Sequence, residues 1–162
     1  MCRSIVGISS VAELTAAICL YRPGLFNFIP DYIPRKKGEI HIYYEHPLME
    51  SVLAETYGLM IYQEQIMTLI HGLSGMSLGE ADLMRRALGK KKESLLLKYK
   101  EKFFLGCERR GIDGKTIETL FEKIAEYAPY GFNKAHAVSI ALIAYRSAYL
   151  KANYKREFDS AL

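Results

Sequence analysis

Arg85 and Arg86, followed closely by Lys90, Lys91 and Lys92, form a stretch whose residue types suit a definite chemistry, the gripping of phosphate oxygens. Planar guanidinium forks can hold phosphate through paired hydrogen bonds, and ammonium groups add point charges. The run is sharply set off from what precedes it. From His41 to Met84 there are six acidic residues and no Lys or Arg, whereas Arg85 to Lys102 carries eight basic residues and two acidic ones. Local basic density matters more to a polyanion than the overall charge of +4. Nucleic acid or a nucleoside triphosphate is the partner that fits, although a solvated charged face explains the same run equally well on residue types alone. A second candidate is Tyr130-Gly131-Phe132-Asn133-Lys134-Ala135-His136. It offers two aromatic rings and a cation at the start of a helix, whose backbone amides attract anions; a helix cap with buried rings is the plainer reading.

Other chemistries are missing. Gly89-Lys90 has Met84 where a phosphate-cradling loop needs its first glycine and Lys91 where it needs Ser or Thr. His41, His46, His71 and His136 have no zinc-ligand spacing, and no cysteine stands near one in a metal pattern. Asp31, Asp82, Asp113 and Asp159 are scattered singly, whereas two-metal phosphoryl transfer needs clustered carboxylates that hold two ions about 3.5 to 4 Å apart. No complete active site is legible.

The elements that must position these groups read as helices almost throughout, which predicts a mainly α fold. Ser10 with Glu13 forms a capping box ahead of a helix through Leu20 that stops before Pro23. Residues 25–44, with Pro30, Pro34, Arg35-Lys36-Lys37 and the alternating Ile40-His41-Ile42-Tyr43, read as a loop with one short strand. Pro47 starts a helix that passes Tyr57 and stops at Gly58, and Tyr62 to Leu73 has apolar residues at helical spacing, with His71 and Gly72 at its end. Ser77 and Glu80 make a second capping box, and Gly89 is placed to end that helix in the left-handed conformation, leaving the lysines on a turn. Helices over 94–110 and 116–127 follow. Asn133 caps a last long helix from Lys134 to about Tyr154, with Ala137, Ala141, Ala144, Ala148 and Ala152 along one small-residue face.

Composition bounds the rest. Half of the 162 residues are hydrophobic and a quarter charged, as in an ordinary globular protein with one sizeable core. The apolar run from Ala137 is broken at Arg146, short of the roughly 20 residues a membrane span requires, and the N-terminus does not read as a secretory signal. Cytoplasmic location without membrane association is expected. Cys2, Cys19 and Cys107 are odd in number and widely spaced, so free thiols are expected, with Cys107 in the core.

Four of these segments occur together, in this order, in one family. Leu20-Tyr21-Arg22-Pro23-Gly24, Tyr57 through Gln65, Ser77 through Lys92, and Tyr130 through His136 resemble the bacterial replicative DNA polymerase III alpha subunit, a family C polymerase, from the end of its palm into its fingers. The resemblance implies 1–24 as the end of the palm, 25–47 as a loop-rich connector and 48–162 as a helical fingers domain. It implies that Arg85, Arg86, Lys90, Tyr130, Asn133, Lys134 and His136 surround the incoming deoxynucleoside triphosphate, and that Lys91, Lys92, Arg146 and Lys151 lie toward primer-template DNA. The Mg²⁺ ions belong to palm carboxylates earlier in the polymerase chain, so none is expected here and this segment alone should not polymerise. Further partners would be the remaining alpha polypeptide and replisome subunits. Gln63, Glu64 and Gln65 read as hydrogen-bonding residues that hold the fingers together, and Tyr145 and Tyr149 as packing residues. One departure stands out: Leu25-Phe26-Asn27-Phe28 replaces the family's Pro-Met and small residues after Gly24. A free-standing helical nucleic-acid-binding protein without polymerase activity is the competing reading.

Overall fold

Side-chain caps set where several helices begin in the computed structural model, which describes residues 7–90 and 93–161. Ser10 Oγ accepts the Glu13 N–H and opens α1, Val11–Leu20. A single 3₁₀ turn, Leu25–Phe28, leads into α2, Ile29–Lys36. His46 Nδ1 accepts from Leu48 N, and with Pro47 in the first turn it starts α3, Pro47–Leu53. After a short 3₁₀ turn come α4, Gln63–Ser74, and α5, Leu78–Lys90, which the Ser77–Glu80 capping box begins as expected. The chain continues through α6, Glu93–Arg109, α7, Gly114–Tyr127, α8, Lys134–Asn153, and α9, Lys155–Ser160. Asp113 caps α7 through the Thr116 N–H, and Asn133 caps α8 through the His136 N–H.

Two apolar clusters organise these helices. The larger joins α3 to α7 around Leu53, Ile70, Met84, Phe103, Leu120 and Ile124. Cys107 lies within it, as expected, and Cys19 is also buried, both as free thiols, while Cys2 lies outside the described residues. The smaller joins α1, α2, the segment before α4 and the start of α8 around Leu20, Tyr32, Ile61, Tyr62 and Ala137. Small residues on both partners let α1 and α8 come close, Ala16 and Ala17 on one side, Ala137 and Ala141 on the other. The rest of the alanine face, Ala144, Ala148 and Ala152, is exposed.

Three expectations need correction. The segment 25–44 contains a helix and, among the described residues, no strand. Pro30 sits in the first turn of α2, where it removes no needed donor, and Pro34 costs an eight-residue helix little beside the burial of Ile29 and Tyr32. Ile40 to Tyr43 alternates but has no neighbouring strand to pair with, and Ile40 and Tyr43 stay exposed. Gly89 does not end its helix: α5 runs through it to Lys90, which places that ammonium in the last turn, where the helix dipole favours it. The α4 helix passes His71 and Gly72 and ends at Gly75, φ 75°. Gly72 serves instead as a contact point, because a Cβ there would lie 2.4 Å from Leu48 Cδ2.

Glu13 ties the smaller cluster together. Its carboxylate accepts from the Ser9 N–H at 2.7 Å, Lys36 Nζ at 2.9 Å and the Tyr57 hydroxyl at 2.9 Å. That anchors Tyr57, whose left-handed φ of 53° is a strained conformation for a tyrosine. Burial alone would raise the Glu13 pKa, but these three donors outweigh it and hold the carboxyl at about 2. A depressed carboxyl pKa stabilises the fold above the unfolded value and loses that effect as pH falls toward the folded one. Glu13→Gln should therefore lower stability at pH 7, and its deficit relative to wild type should close between about pH 4.5 and pH 2, as read from urea midpoints across that range.

Gly106 brings α6 against the end of α4. A Cβ on it would stand 2.1 Å from the Ser74 carbonyl oxygen, a backbone atom that cannot swing away. Alanine in a helix gains about 1 kcal/mol over glycine, but forcing two packed helices apart costs about 1 to 3 kcal/mol or more. Gly106→Ala should destabilise by about 2 kcal/mol, whereas Gly79→Ala, with open space around it, should stabilise by up to about 1 kcal/mol. Thermal unfolding of the two variants checks the opposite signs.

Candidate functional site

The candidate segment from Tyr130 to His136 is spliced onto the entrance of α4. Phe132 N donates to Ile61 O and Gln63 N donates to Phe132 O, both at 2.9 Å, and together they form an isolated parallel bridge between Tyr62 and Phe132. Behind the bridge, Gln65 is 4% exposed and uses its full hydrogen-bonding capacity. Its Oε1 accepts from Ile61 N and Tyr62 N at 3.0 Å each, and its Nε2 donates to Thr56 Oγ1 at 2.8 Å and Val52 O at 3.3 Å. Glu64 reaches forward and accepts from Asn133 Nδ2 at 3.1 Å and from the Lys134 backbone N–H at 3.0 Å. Hydrogen bonding by Gln65 and Glu64 agrees with the reading of this trio from sequence.

Other segments close on the same place. Gly24, φ 92°, packs so tightly on the Tyr130 ring that a Cβ would lie 2.1 Å from it. The Arg22 guanidinium carbon stands 4.2 Å above the Phe132 ring centroid, a cation–π arrangement. Gly89, near the end of α5, sits where a Cβ would be 3.7 Å from Pro129 Cα, so the last turn of the basic helix abuts the turn preceding Tyr130. Stretches far apart in sequence, around residues 22, 62, 89 and 132, thus share one locus.

The cations of these segments are mostly matched with carboxylates. Arg85 is held by Asp82 through Nε at 3.2 Å and Nη2 at 2.7 Å, with only 13% of its side chain exposed. Arg86 contacts the other Asp82 oxygen at 2.7 Å but leaves 61% of its side chain exposed. Burial would raise the Asp82 pKa, yet the two guanidiniums hold it below the usual range. Lys134 Nζ pairs with both Glu55 oxygens, at 2.6 and 2.8 Å, and lies 5.3 Å from the Tyr62 ring centroid. Asn133, His136 and Tyr130 are exposed, as is Lys90, and the Phe132 and His136 rings lie 5.6 Å apart. The anion-attracting start of α8 is already served, since Glu64 takes the Lys134 N–H and Asn133 Oδ1 takes the His136 N–H at 2.8 Å.

Lys91 and Lys92 lie outside the described residues. Arg146 and Lys151 stand twelve and seventeen residues beyond Lys134 on the same helix, so the rise of 1.5 Å per residue puts them about 18 and 25 Å along it. They belong to a different part of the surface. Sequence reasoning did not single out Asp82 or Glu55, and assigned no role to Arg22. Asp82 was open to discovery, being three and four residues ahead of Arg85 and Arg86 on one helical face. Glu55 and Arg22 act across the fold and leave no local signal. Among the described residues no group of three or more His, Cys, Asp or Glu could hold a metal ion, and no helix is long and apolar enough to cross a membrane.

Comparison with known proteins matches this arrangement to a family. A family profile described as the bacterial DNA polymerase III alpha subunit finger domain fits residues 4–111. The "DNA polymerase III subunit alpha" of Chlamydia muridarum is 49% identical over 150 residues, 93% of this chain and 12% of that protein. Those of Halalkalibacterium halodurans and Neisseria meningitidis serogroup A are 47% and 48% identical, over 95% and 92% of this chain and 14% and 13% of their own lengths. The chain therefore spans only about an eighth of the curated relatives it matches. With the profile covering most of its residues and close relatives covering nearly all of them, this chain belongs to the bacterial DNA polymerase III alpha subunit finger domain family.

Proposed function

We propose that this chain is the fingers segment of a replicative DNA-directed DNA polymerase, where it holds the incoming deoxynucleoside triphosphate beside the primer-template DNA. The observation that carries the reading is the meeting of all four family segments at the Tyr130–His136 splice. Arg86 and Lys90 present exposed positive charge on the last turns of α5, whose end abuts Pro129, and Asp82 fixes the arginine pair without neutralising both of its members. Arg85, largely buried on Asp82, contributes by orienting that carboxylate. Tyr130, Phe132, Asn133 and His136 form the wall against which the base and sugar would rest. Lys91, Lys92 and Lys151 contact DNA phosphates in this scheme. The Mg²⁺ ions of nucleotidyl transfer would be held by carboxylates in the remainder of the polymerase chain.

Lys134 reaches a triphosphate in this scheme by exchanging Glu55 for a phosphate oxygen. Both members of that pair are 38% exposed, and exposed ion pairs contribute only about 0 to 1 kcal/mol. A triphosphate, with several charges on adjacent oxygens, competes well against one carboxylate.

The scheme is tested by titrating the purified chain with deoxynucleoside triphosphate. A charge-assisted contact is worth about 1.5 to 3 kcal/mol, so Arg86→Ala and Lys134→Ala should each weaken binding at least tenfold, while Glu55→Gln should strengthen it severalfold. Wild-type binding to DNA with a steep salt dependence and no preference for triphosphates would instead identify a plain nucleic-acid binder. With Mg²⁺ and all four nucleotides supplied, the chain alone should extend no primer; extension would place the chemistry within these residues.

A further inference from the structure

Beyond its buried Ala137 and Ala141, every residue of α8 from Leu142 onward is exposed, although Tyr145 borders the start of α1 at Ser10, Val11 and Leu14. That half is nevertheless rich in large apolar side chains: Ile143 is 66% exposed, Tyr145 53%, Tyr149 51% and Leu150 46%. At about 100° per residue, Ile140, Ile143 and Leu150 form one stripe, interrupted by Ser147 and edged by Lys151, with Tyr154 just past the helix end. Leu142, Tyr145 and Tyr149 form a second on another face of the helix. The alanine face fills the sector between them on one side, and a polar line through Ser139, Arg146 and Asn153 fills the other. A helix with large apolar side chains on two separate faces has more surface built to be buried than one neighbour can cover. Six large side chains exposed along one helix exceed what a soluble surface normally carries.

The geometry points to one occupant: we infer that residues 142–153 of α8 are an internal helix of the complete alpha subunit, wrapped on at least two faces by apolar segments of the remaining polypeptide. Three observations choose this partner. A 154-residue match within a 162-residue chain necessarily takes in residues 9–154, so the apolar stripes lie in the part shared with relatives whose chains are about seven times longer. Aliphatic Ile143, Leu142 and Leu150 offer neither charge to phosphate nor rings to bases, which disfavours DNA as the cover. A second copy of this helix would cover one stripe and leave the other bare. Arg146 lies on the polar line, in a groove it shares with Tyr145, Tyr149 and Leu150, and has no ion-pair partner among the described residues. The covering segment should bring an acidic side chain to it, which departs from the DNA contact expected of Arg146.

The test uses Ile143→Cys, labelled with a maleimide and read by peptide mass mapping so that Cys2, Cys19 and Cys107 do not interfere. It compares the 162-residue chain with a full-length alpha subunit containing the same residues, each shown to be folded by a cooperative thermal transition. Labelling should be at least tenfold slower in the full-length subunit, with or without primer-template. Ile143→Lys should leave the melting temperature of the 162-residue chain unchanged and lower that of the full-length subunit by about 5 °C or more. Equal labelling rates overturn the inference. Protection that appears only when primer-template is added assigns the face to DNA, and concentration-dependent protection in the short chain assigns it to a second copy; either outcome rejects it.

Discussion

Two backbone hydrogen bonds at Phe132 set the arrangement on which everything else in this molecule depends. They fasten a segment 70 residues downstream onto the entrance of α4, and neither could form unless the backbone at Tyr62, φ −104° and ψ 143°, were held extended just before the helix. Gln65 does that holding. A buried amide costs several kcal/mol if left unpaired and little if every donor and acceptor is matched. Gln65 meets that condition by bonding to Ile61, Tyr62, Thr56 and Val52. An apolar residue of similar size would fill the volume but leave the extended strand without its lateral support. The larger and smaller apolar clusters meet across this joint, which explains why a polar residue occupies so central a position.

How much of this was legible in sequence follows from the range of the forces involved. The helices α4, α7 and α8 were readable because their apolar spacing and caps act within a few residues; Ser10, Ser77 and Asn133 sit where their side chains predict. The α2 helix was not, because its evidence is tertiary: two prolines argue locally for a loop, and only the burial of Ile29 and Tyr32 against α1 outweighs them. Gly89 misled for a related reason. A glycine near a helix end usually supplies the left-handed stop, but here α5 runs on past it and packs its last turn beside Pro129. The family segments were recognisable as words, yet nothing in their spacing said that Gly24 would press on Tyr130 or that Glu64 would cap α8.

The electrostatic design also differs from what a basic run implies. Positive charge in the family segments is offset residue by residue, Arg85 and Arg86 by Asp82 and Lys134 by Glu55. Weak, partly exposed pairs hold the side chains in place while remaining easy to exchange. Under the proposed function the carboxylates then act as stand-ins for phosphate. They keep the site folded before substrate arrives, and their modest strength sets a low barrier to replacing them.

Under the proposed function, α8 links this site to the remaining alpha polypeptide. Its first residues carry Asn133's cap, the Glu64 contact and the Glu55 pair, and its far half carries the apolar stripes. Twenty residues at 1.5 Å each make a rod of about 30 Å. Such a rod transmits tilt: the direction in which Lys134 and His136 face depends on where residues 142–153 are seated. Packing against α1 buries only the near end, at Ala137 and Ala141, and Tyr145 borders the start of α1 while staying 53% exposed. The covering polypeptide inferred for the far end would therefore do more than shield apolar surface. It would set the orientation of the triphosphate groups relative to carboxylates that this chain does not supply, which makes the seating of a bare helix part of how the two halves of the active centre are brought into register.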